Sequence, residues 1–335
     1  MYVGTQYPAS SDIEFQILAQ LGVNHICGYP TPPGTGDPSL WTVDFLTKYK
    51  EKIESYGIKL DMVQLPIGAT PEQESPNILL GKSPERDREI EICQNIIRNA
   101  ALAGIPAIKY RLNIIGYPRT KPTLGRGDSI RSAFYWDQVE DKTSIPEWGP
   151  ISEEEYWERI DYLLKNIVPV AEEYKVRLAC HPQDPYTPPG YKGVVRVLGT
   201  VEGMKKFVLM HESKYHGLNF CQGTICGMLE NPKTEIFDVI KWFGERDKIF
   251  NVHFRNIVGG KLAFEETFPD EGDIDMLKAA QAYKEVGYKY MLMPDHTPKI
   301  SGPDPNNISF AFCYGYIKAI IQASNQSIIL KNQSI

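Results

Sequence analysis

Four residues of metal-binding types stand at the ends of short apolar segments in the second half of the chain. They are His181 in ACHPQDP, Cys221 in NFCQG, His253 in VHFRN and Asp295 in MPDH. Singly, each has an ordinary structural interpretation, since a free cysteine usually packs as a small hydrophobic residue and an aspartate often caps a helix. Together they favour one divalent transition ion. The carboxylate admits Mn²⁺ or Fe²⁺, whereas the thiolate and the imidazoles favour Zn²⁺ or Co²⁺.

The segment NVHFRN, residues 251–256, adds a second chemical feature to this set. As a strand, it places His253 and Arg255 on one face and Phe254 on the other. Burying an imidazole beside a guanidinium is costly unless each has a partner. The segment therefore predicts that a ligand or a charged group of the protein lies opposite this face.

The elements that must position these residues follow a regular alternation. Short segments rich in Val, Ile and aromatic residues each precede a loop and a helical pattern: YVGTQ (2–6), HICGY (25–29), KLDMVQ (59–64), AIKYRLN (107–113), RLACHP (177–182), GLNFCQG (217–223), IFNVHFRN (249–256) and YMLMPDH (290–296). Eight strands alternating with helices predict a (β/α)8 barrel. A doubly wound open sheet is the alternative, but no GxGxxG follows the first strand. In such a barrel the four candidate ligands meet at the mouth where the strands end.

The domain organisation is expected to be simple. Residues 1–323 are predicted to form one barrel domain, with helices such as SEEEYWERIDYLLKNIVPVAEEY, in which Ser152 and Glu155 fit a capping box. The segment 114–150 is long and rich in Pro, Gly and aromatic residues, which is typical of a lid or a binding loop. The tail 324–335 repeats NQSI and is expected to fray outside the core.

Composition narrows the class of protein. The net charge of −6 and the pI near 5.6 argue against nucleic acid or an anionic membrane as a partner. No stretch approaches the roughly 18 apolar residues of a transmembrane helix, and the N-terminal segment does not resemble a signal peptide. The six cysteines form no CxxC pair. We therefore expect reduced thiols and a cytoplasmic protein.

Several segments in this order resemble the D-mannonate dehydratase family, whose fold is related to that of xylose isomerase. They are ISEEEYWERIDYLLKNIVPVAEEYKVRLACHPQDP, GLNFCQGTICGM, KIFNVHFRN, FEETFPDEGDIDMLKAAQAYKEVGY and MPDH, with weaker similarity in AIKYRLNIIGYPRT. The resemblance implies a metal site, usually of Mn²⁺, with the ligands His181, Cys221, His253 and Asp295. It further implies roles for His296 as acid or base, for Arg255 and Asn256 in the active site, and for Asn113, Arg119 and Arg196 as substrate contacts.

The chain also departs from the family pattern. Gln183-Asp184 follows HP where the family has two acidic residues, and Phe268-Pro269 stands where the family has a histidine. The C-terminal tyrosine to which the family assigns an acid–base role has no clear counterpart, because Tyr314 and Tyr316 fall within the last predicted helix. The metal site is therefore expected to be intact, while the groups that select the substrate and protonate the leaving group differ.

The expected activity is a metal-dependent dehydration of a small sugar acid such as D-mannonate, giving 2-dehydro-3-deoxy-D-gluconate. In this scheme a divalent ion stabilises the enediolate, Arg255 pairs the substrate carboxylate, and His296 accepts the proton near neutral pH. A sugar isomerase or epimerase, another carbon–oxygen lyase, or a catalytically silent sugar-acid-binding barrel are the alternatives. A homo-oligomer is compatible with the resemblance.

Overall fold

The computed structural model describes residues 1–32, 37–68 and 75–332, with side chains described through residue 325. Its strands, in chain order, are β1 (Tyr2–Thr5), β2 (His25–Gly28), β3 (Lys59–Gln64), β4 (Ala107–Arg111), β5 (Thr123–Leu124), β6 (Ile130–Arg131), β7 (Ala133–Tyr135), β8 (Arg177–His181), β9 (His216–Cys221), β10 (Ile249–His253), β11 (Ile257–Gly260), β12 (Ala263–Glu266) and β13 (Met291–Met293).

Eight of these strands close into a parallel barrel in the order β1, β13, β10, β9, β8, β4, β3, β2. Each of the eight predicted strand segments contains one barrel strand, so the (β/α)8 prediction is confirmed. The register aligns the residues that end the later strands. His253 pairs with Cys221 on β9 and with Met293 on β13, and Arg111 on β4 pairs with His181.

The helices surround the barrel and are α1 (Asp12–Gln20), α2 (Val43–Glu54), α3 (Pro76–Leu80), α4 (Glu85–Leu102), α5 (Glu153–Tyr174), α6 (Val201–Leu209), α7 (Gln222–Cys226), α8 (Pro232–Gly244), α9 (Met276–Glu285) and α10 (Pro305–Asn332). The capping box of α5 is present, with the backbone N–H of Glu155 donating to Ser152 and the Glu155 carboxylate accepting from the Ser152 N–H. One face of α5 is buried, including Leu163, Leu164 and Ile167. Each such side chain contributes about 1.5–3 kcal/mol by leaving water.

The segment 114–150 is more ordered than a plain loop. It contains β5, β6 and β7, and β7 pairs antiparallel with β12, which in turn pairs with β11. This small sheet joins the predicted lid segment to the chain that follows β10. The pairing partner of β7 lies more than a hundred residues away along the chain, so local sequence pattern could not indicate it.

The C-terminal helix α10 runs across the boundary expected at residue 324. Tyr314 and Tyr316 lie within it, as predicted, and Ser324 is buried. Residues 333–335 of the predicted tail lie outside the described residues. Among the described helices, none combines the length and the apolar character needed to cross a membrane.

Candidate metal centre

Four side chains meet at the mouth of the barrel, where the later strands end. One ligand atom from each of His181, Cys221, His253 and Asp295 lies within 4.8 Å of the others. Asp295 Oδ2 is 3.5 Å from Cys221 Sγ and 3.3 Å from His253 Nδ1. The strand register explains this meeting, because Cys221 and His253 are paired neighbours and Asp295 follows β13 by two residues.

Each of the two imidazoles has one ring nitrogen close to this group. His181 Nδ1 lies 2.7 Å from the Pro182 carbonyl and donates to it, which leaves Nε2 unprotonated. Burial lowers the pKa of His181 to about 4, so the ring is neutral. His253 Nδ1 is buried and has no hydrogen-bond partner among the described residues. A metal ion at the centre of the group would give this nitrogen a partner.

The anionic donors are held by neighbouring polar groups. The Thr224 hydroxyl donates to Cys221 Sγ at 3.1 Å, and Gln6 Nε2 donates to Asp295 Oδ1 at 2.6 Å. Burial alone would raise the pKa of Asp295, but the neighbouring His253 and the other cationic groups hold that pKa well below its usual value. Two imidazole nitrogens, a sulfur and an ionised carboxylate fit a divalent transition ion.

A buried network of alternating charges lies beside this centre. Arg255 Nη1 donates to Glu266 Oε1 at 2.9 Å and Arg255 Nη2 to Asp184 Oδ2 at 3.1 Å. Arg119 Nη2 contacts the same two carboxylates at 2.7 and 2.9 Å. Gly223 permits this packing, since a Cβ there would lie 2.3 Å from Arg255 Nε. Arg255 was expected to face a charge of the substrate. In the structure its guanidinium contacts carboxylates of the protein instead.

His296 lies between the charge network and the candidate ligands. Its Nδ1 is 2.8 Å from Glu266 Oε2 and also 2.8 Å from Arg255 Nη1, and its Nε2 is 3.8 Å from Asp295 Oδ1. Burial lowers the pKa of His296, but Asp295 and Glu266 outweigh this effect and raise it to about 9. The sequence-based expectation placed the titration of this group nearer neutrality.

Four residues expected in the active site or as substrate contacts are not among the lining of the cavity, namely Asn256, Asn113, Arg119 and Arg196. Asn256 donates to the Pro269 and Ile274 carbonyls and accepts from the backbone N–H groups of Ile257 and Ile274. Arg196 is buried and donates to Asn113, Gly116 and Pro185. Asn113 and Arg119 are likewise engaged with protein groups. These side chains brace the wall behind the cavity through these hydrogen bonds, and of their atoms Arg196 Nε is buried without a hydrogen-bond partner among the described residues.

The cavity itself has a volume of about 550 Å³, counted with its open mouth. Besides His181, His253, Asp184, Asp295 and His296, its lining consists of Gln6, Tyr29, Gln64, Lys109, Tyr110, Arg111 and Tyr117. Sequence reasoning missed most of this second set as site residues. The available signal was the spacing of Lys109 and Arg111, since residues two apart share one face of a strand.

The tyrosines of α10 lie away from this cavity. The Tyr314 hydroxyl is 2.6 Å from Thr5 Oγ1 and the side chain is buried, whereas Tyr316 stacks on Phe312. Neither residue belongs to the cavity lining among the described residues. That the C-terminal tyrosine of the family has no counterpart in this chain stays a prediction.

Comparison with known proteins supports the same picture. The family model described as D-mannonate dehydratase (UxuA) matches residues 132–328. The mannonate dehydratase of Streptococcus pneumoniae (strain 70585) is 27% identical over 302 residues, covering 82% of this chain and 78% of that protein. That of Thermotoga petrophila is 27% identical over 324 residues, covering 86% of each.

A solved structure agrees in fold. The crystal structure of mannonate dehydratase from Streptococcus suis serotype 2 has a TM-score of 0.82 and 24% identity, covering 98% of this chain and 94% of that one. The matched family segment spans more than half of the chain and contains His181, Cys221, His253 and Asp295. With the barrel and the ordered segments already described, this match decides the assignment: the chain belongs to the D-mannonate dehydratase family.

Proposed function

We propose that this protein is a metal-dependent hydro-lyase that removes water from an aldonic acid, with D-mannonate as substrate and 2-dehydro-3-deoxy-D-gluconate as product. The observation that carries the proposal is the convergence of four donor atoms within 4.8 Å of one another, beside His296 in a polar cavity. Membership of the family and the names of the relatives support the substrate.

The proposed ligands are His181, Cys221, His253 and Asp295, and the proposed ion is Mn²⁺, with Fe²⁺, Co²⁺ or Zn²⁺ able to occupy the same donors. When bound, a divalent ion supplies Lewis-acid stabilisation for the negative charge that develops next to the substrate carboxylate. The protein orients the donor side chains for such an ion. Their hydrogen bonds to Pro182, Thr224 and Gln6 fix the orientation of His181, Cys221 and Asp295.

His296 is the proposed base for the proton on the carbon next to the carboxylate. The contact of Nδ1 with Glu266 orients the ring, because a carboxylate accepts the Nδ1–H. The free nitrogen is then Nε2, which lies on the side of Asp295 and the candidate ligands. His296 accepts the substrate proton at Nε2 when it is neutral.

The groups that bind the substrate carboxylate are proposed to be Lys109 and Arg111. Both line the cavity on β4, and neither has a carboxylate within 4 Å of its nitrogens in the described part of the chain. Arg255 and Arg119, by contrast, already contact Asp184 and Glu266. In this assignment Arg255 is a positioning residue, which holds Glu266 and hence His296.

The test is an assay of metal-stripped protein reloaded with Mn²⁺ against a panel of aldonates, starting with D-mannonate. Formation of a 2-keto-3-deoxy acid with loss of water, followed by NMR and mass spectrometry, is the expected result. Rearrangement without loss of water would identify an isomerase or epimerase instead. No product from any aldonate, with the metal bound, would overturn the proposal.

A further inference from the structure

The dehydration needs a proton donor for the leaving hydroxyl, and the helix α10 supplies none to the cavity. The phenols in contact with the cavity belong instead to Tyr29, Tyr110 and Tyr117. Tyr110 is almost fully buried in β4, whereas Tyr29 is half-buried and Tyr117 is exposed. The choice therefore lies between two side chains that face the space where a ligand binds.

Within the described residues, the hydroxyl hydrogen of Tyr29 has no acceptor in the protein. Lys109 Nζ lies 3.0 Å from the Tyr29 oxygen, and an ammonium can only donate, so this oxygen accepts. No other side-chain hydrogen bond of the Tyr29 hydroxyl occurs within residues 1–32, 37–68 and 75–325. Because Tyr29 lines the cavity, its own hydrogen is available to a ligand there.

Contacts with helix α2 fix the position of Tyr29. The Tyr29 backbone N–H donates to the Tyr49 hydroxyl on α2 at 3.1 Å. Gly28 makes this approach feasible, since a Cβ at that position would lie 2.7 Å from the same hydroxyl oxygen. The phenol is thus anchored at the end of β2, at the mouth of the barrel.

Lys109 connects Tyr29 to the candidate metal centre. Its amine donates to Gln6 Oε1, and the amide of Gln6 donates to Asp295 Oδ1. Lys109 is 6% exposed and has no ion-pair partner in the part of the chain that the structure describes. Burial would lower the pKa of Lys109, but the Tyr29 oxygen and other neighbours raise it, so the amine is charged.

We propose that Tyr29 protonates the leaving hydroxyl of the substrate and that Lys109 returns a proton to Tyr29, an inference that rests on the dehydratase function proposed above. His296 Nε2 takes the proton from C2 and leaves an enediolate, and the electrons of that C–H bond then form the C2=C3 double bond. The C3–O bond breaks, and its oxygen takes the Tyr29 proton and leaves as water. The resulting enol tautomerises to the 2-keto acid.

The phenolate left on Tyr29 lies against the Lys109 ammonium, which stabilises it and hands over a proton that solvent replaces. Tyr117 lacks such a neighbour. Its contacts are with Arg111 and Asn113, and a guanidinium does not give up its proton in proteins.

The first test is the Tyr29→Phe variant, which keeps the ring and removes only the hydroxyl. We expect kcat for D-mannonate to fall about 10²–10⁴-fold, the usual contribution of a general acid, while KM and metal content change little. Exchange of the C2 hydrogen with deuterated solvent should continue, because His296 is intact. A variant with unchanged kcat would overturn the inference, and so would equal losses of elimination and exchange.

A substrate with a better leaving group separates proton donation from a structural role. Fluoride leaves without prior protonation, so 3-deoxy-3-fluoro-D-mannonate should lose fluoride at similar rates in wild type and Tyr29→Phe, as followed by fluorine NMR. Lys109→Arg keeps the charge but blocks the return of a proton, and it should lower kcat for D-mannonate more than for the fluoro substrate. Equal slowing of both substrates in Tyr29→Phe would overturn the inference.

Two further variants complete the design. Tyr316→Phe removes a phenol of α10 that does not line the cavity and should keep the wild-type kcat. Tyr117→Phe tests the competing donor, and a large loss of kcat there with none in Tyr29→Phe would transfer the role to Tyr117. If wild type eliminates water from no aldonate, the proposed function itself fails, which is distinguishable from active wild type with an equally active Tyr29→Phe.

Discussion

On the side of the barrel mouth formed by β8, β9, β10 and β13, buried charges are paired within the protein, whereas on the side formed by β1, β2 and β4 they are not. Arg255 contacts Asp184 and Glu266. Lys109, at 6% exposure, contacts only neutral oxygens of Gln6 and Tyr29 within the described residues. A buried cation without a directly contacting carboxylate is costly, and we infer from it that an anionic ligand binds on this side.

The comparison also separates two parts of the sequence. The candidate metal ligands and Glu266 lie within residues 132–328, which match the family model, whereas Gln6, Tyr29 and Lys109 precede them. The later strands thus carry the candidate metal ligands. We infer that the earlier strands carry the features that distinguish this chain, including its proton donor and its carboxylate site.

The largest expected effect, on metal content and turnover, comes from a substitution on the side of the barrel mouth where buried charges are paired. Cys221→Ala removes one of the four donors, and we expect loss of bound metal together with loss of measurable turnover. Elemental analysis of the purified variant checks this. Cys93→Ala is the matched control, because Cys93 is equally buried but lies in α4. Retention of stoichiometric metal by Cys221→Ala would contradict the proposed metal centre.

A pair of variants tests the charge comparison directly. Arg255→Met leaves Asp184 and Glu266 short of a partner, and we expect a loss of about 3–5 kcal/mol in the free energy of unfolding. Lys109→Met removes a charge that has no carboxylate partner, and we expect little loss or a gain in stability. Urea unfolding of the metal-free variants measures both. Equal losses would remove the distinction between the two sides.

Two adjacent glutamates on β12 allow the role of the buried charge network to be tested. Glu266→Gln weakens the contact that orients His296, and we expect kcat to fall about 10–100-fold, the range seen when a supporting group of a site is removed. Glu265→Gln is the control, since Glu265 contacts Arg131 and Tyr135 instead. Steady-state kinetics distinguishes them, and equal kcat values would show that the network does not act through His296.

The smallest effect is expected at the wall behind the cavity. Asn113→Ala removes a hydrogen bond to Arg196 and should cost about 1 kcal/mol of stability. KM for the aldonate should stay unchanged, because Asn113 does not line the cavity. A clear rise in KM would restore the role in substrate contact that the sequence resemblance implied.

The barrel and the four candidate ligands were accessible from the sequence because both depend on local patterns. Each strand segment combines β-branched residues with flanking turns, and barrel topology brings the strand ends together whatever their distance along the chain. The grouping of His181, Cys221, His253 and Asp295 required only this rule. Their spacing in the structure is consistent with it.

The polar lining and the charge network were not accessible in this way. Glu266 reaches Arg255 through the pairing of β11, β12 and β7, which is a long-range contact. Lys109 is a polar residue in an apolar strand, and the sequence alone does not say whether it faces the cavity. The residues assigned as substrate contacts by resemblance form hydrogen bonds within the protein, and their role in substrate binding stays a prediction.

The arrival of Asp295 directly after β13 has a consequence for assembly. β13 is the strand that joins β10 to β1 and so completes the ring. Three of the candidate donors lie on β8, β9 and β10, and the fourth follows the strand that completes the ring. An ion that binds all four donors would therefore favour the closed ring, by about 2.7 kcal/mol at a hundred times its dissociation constant.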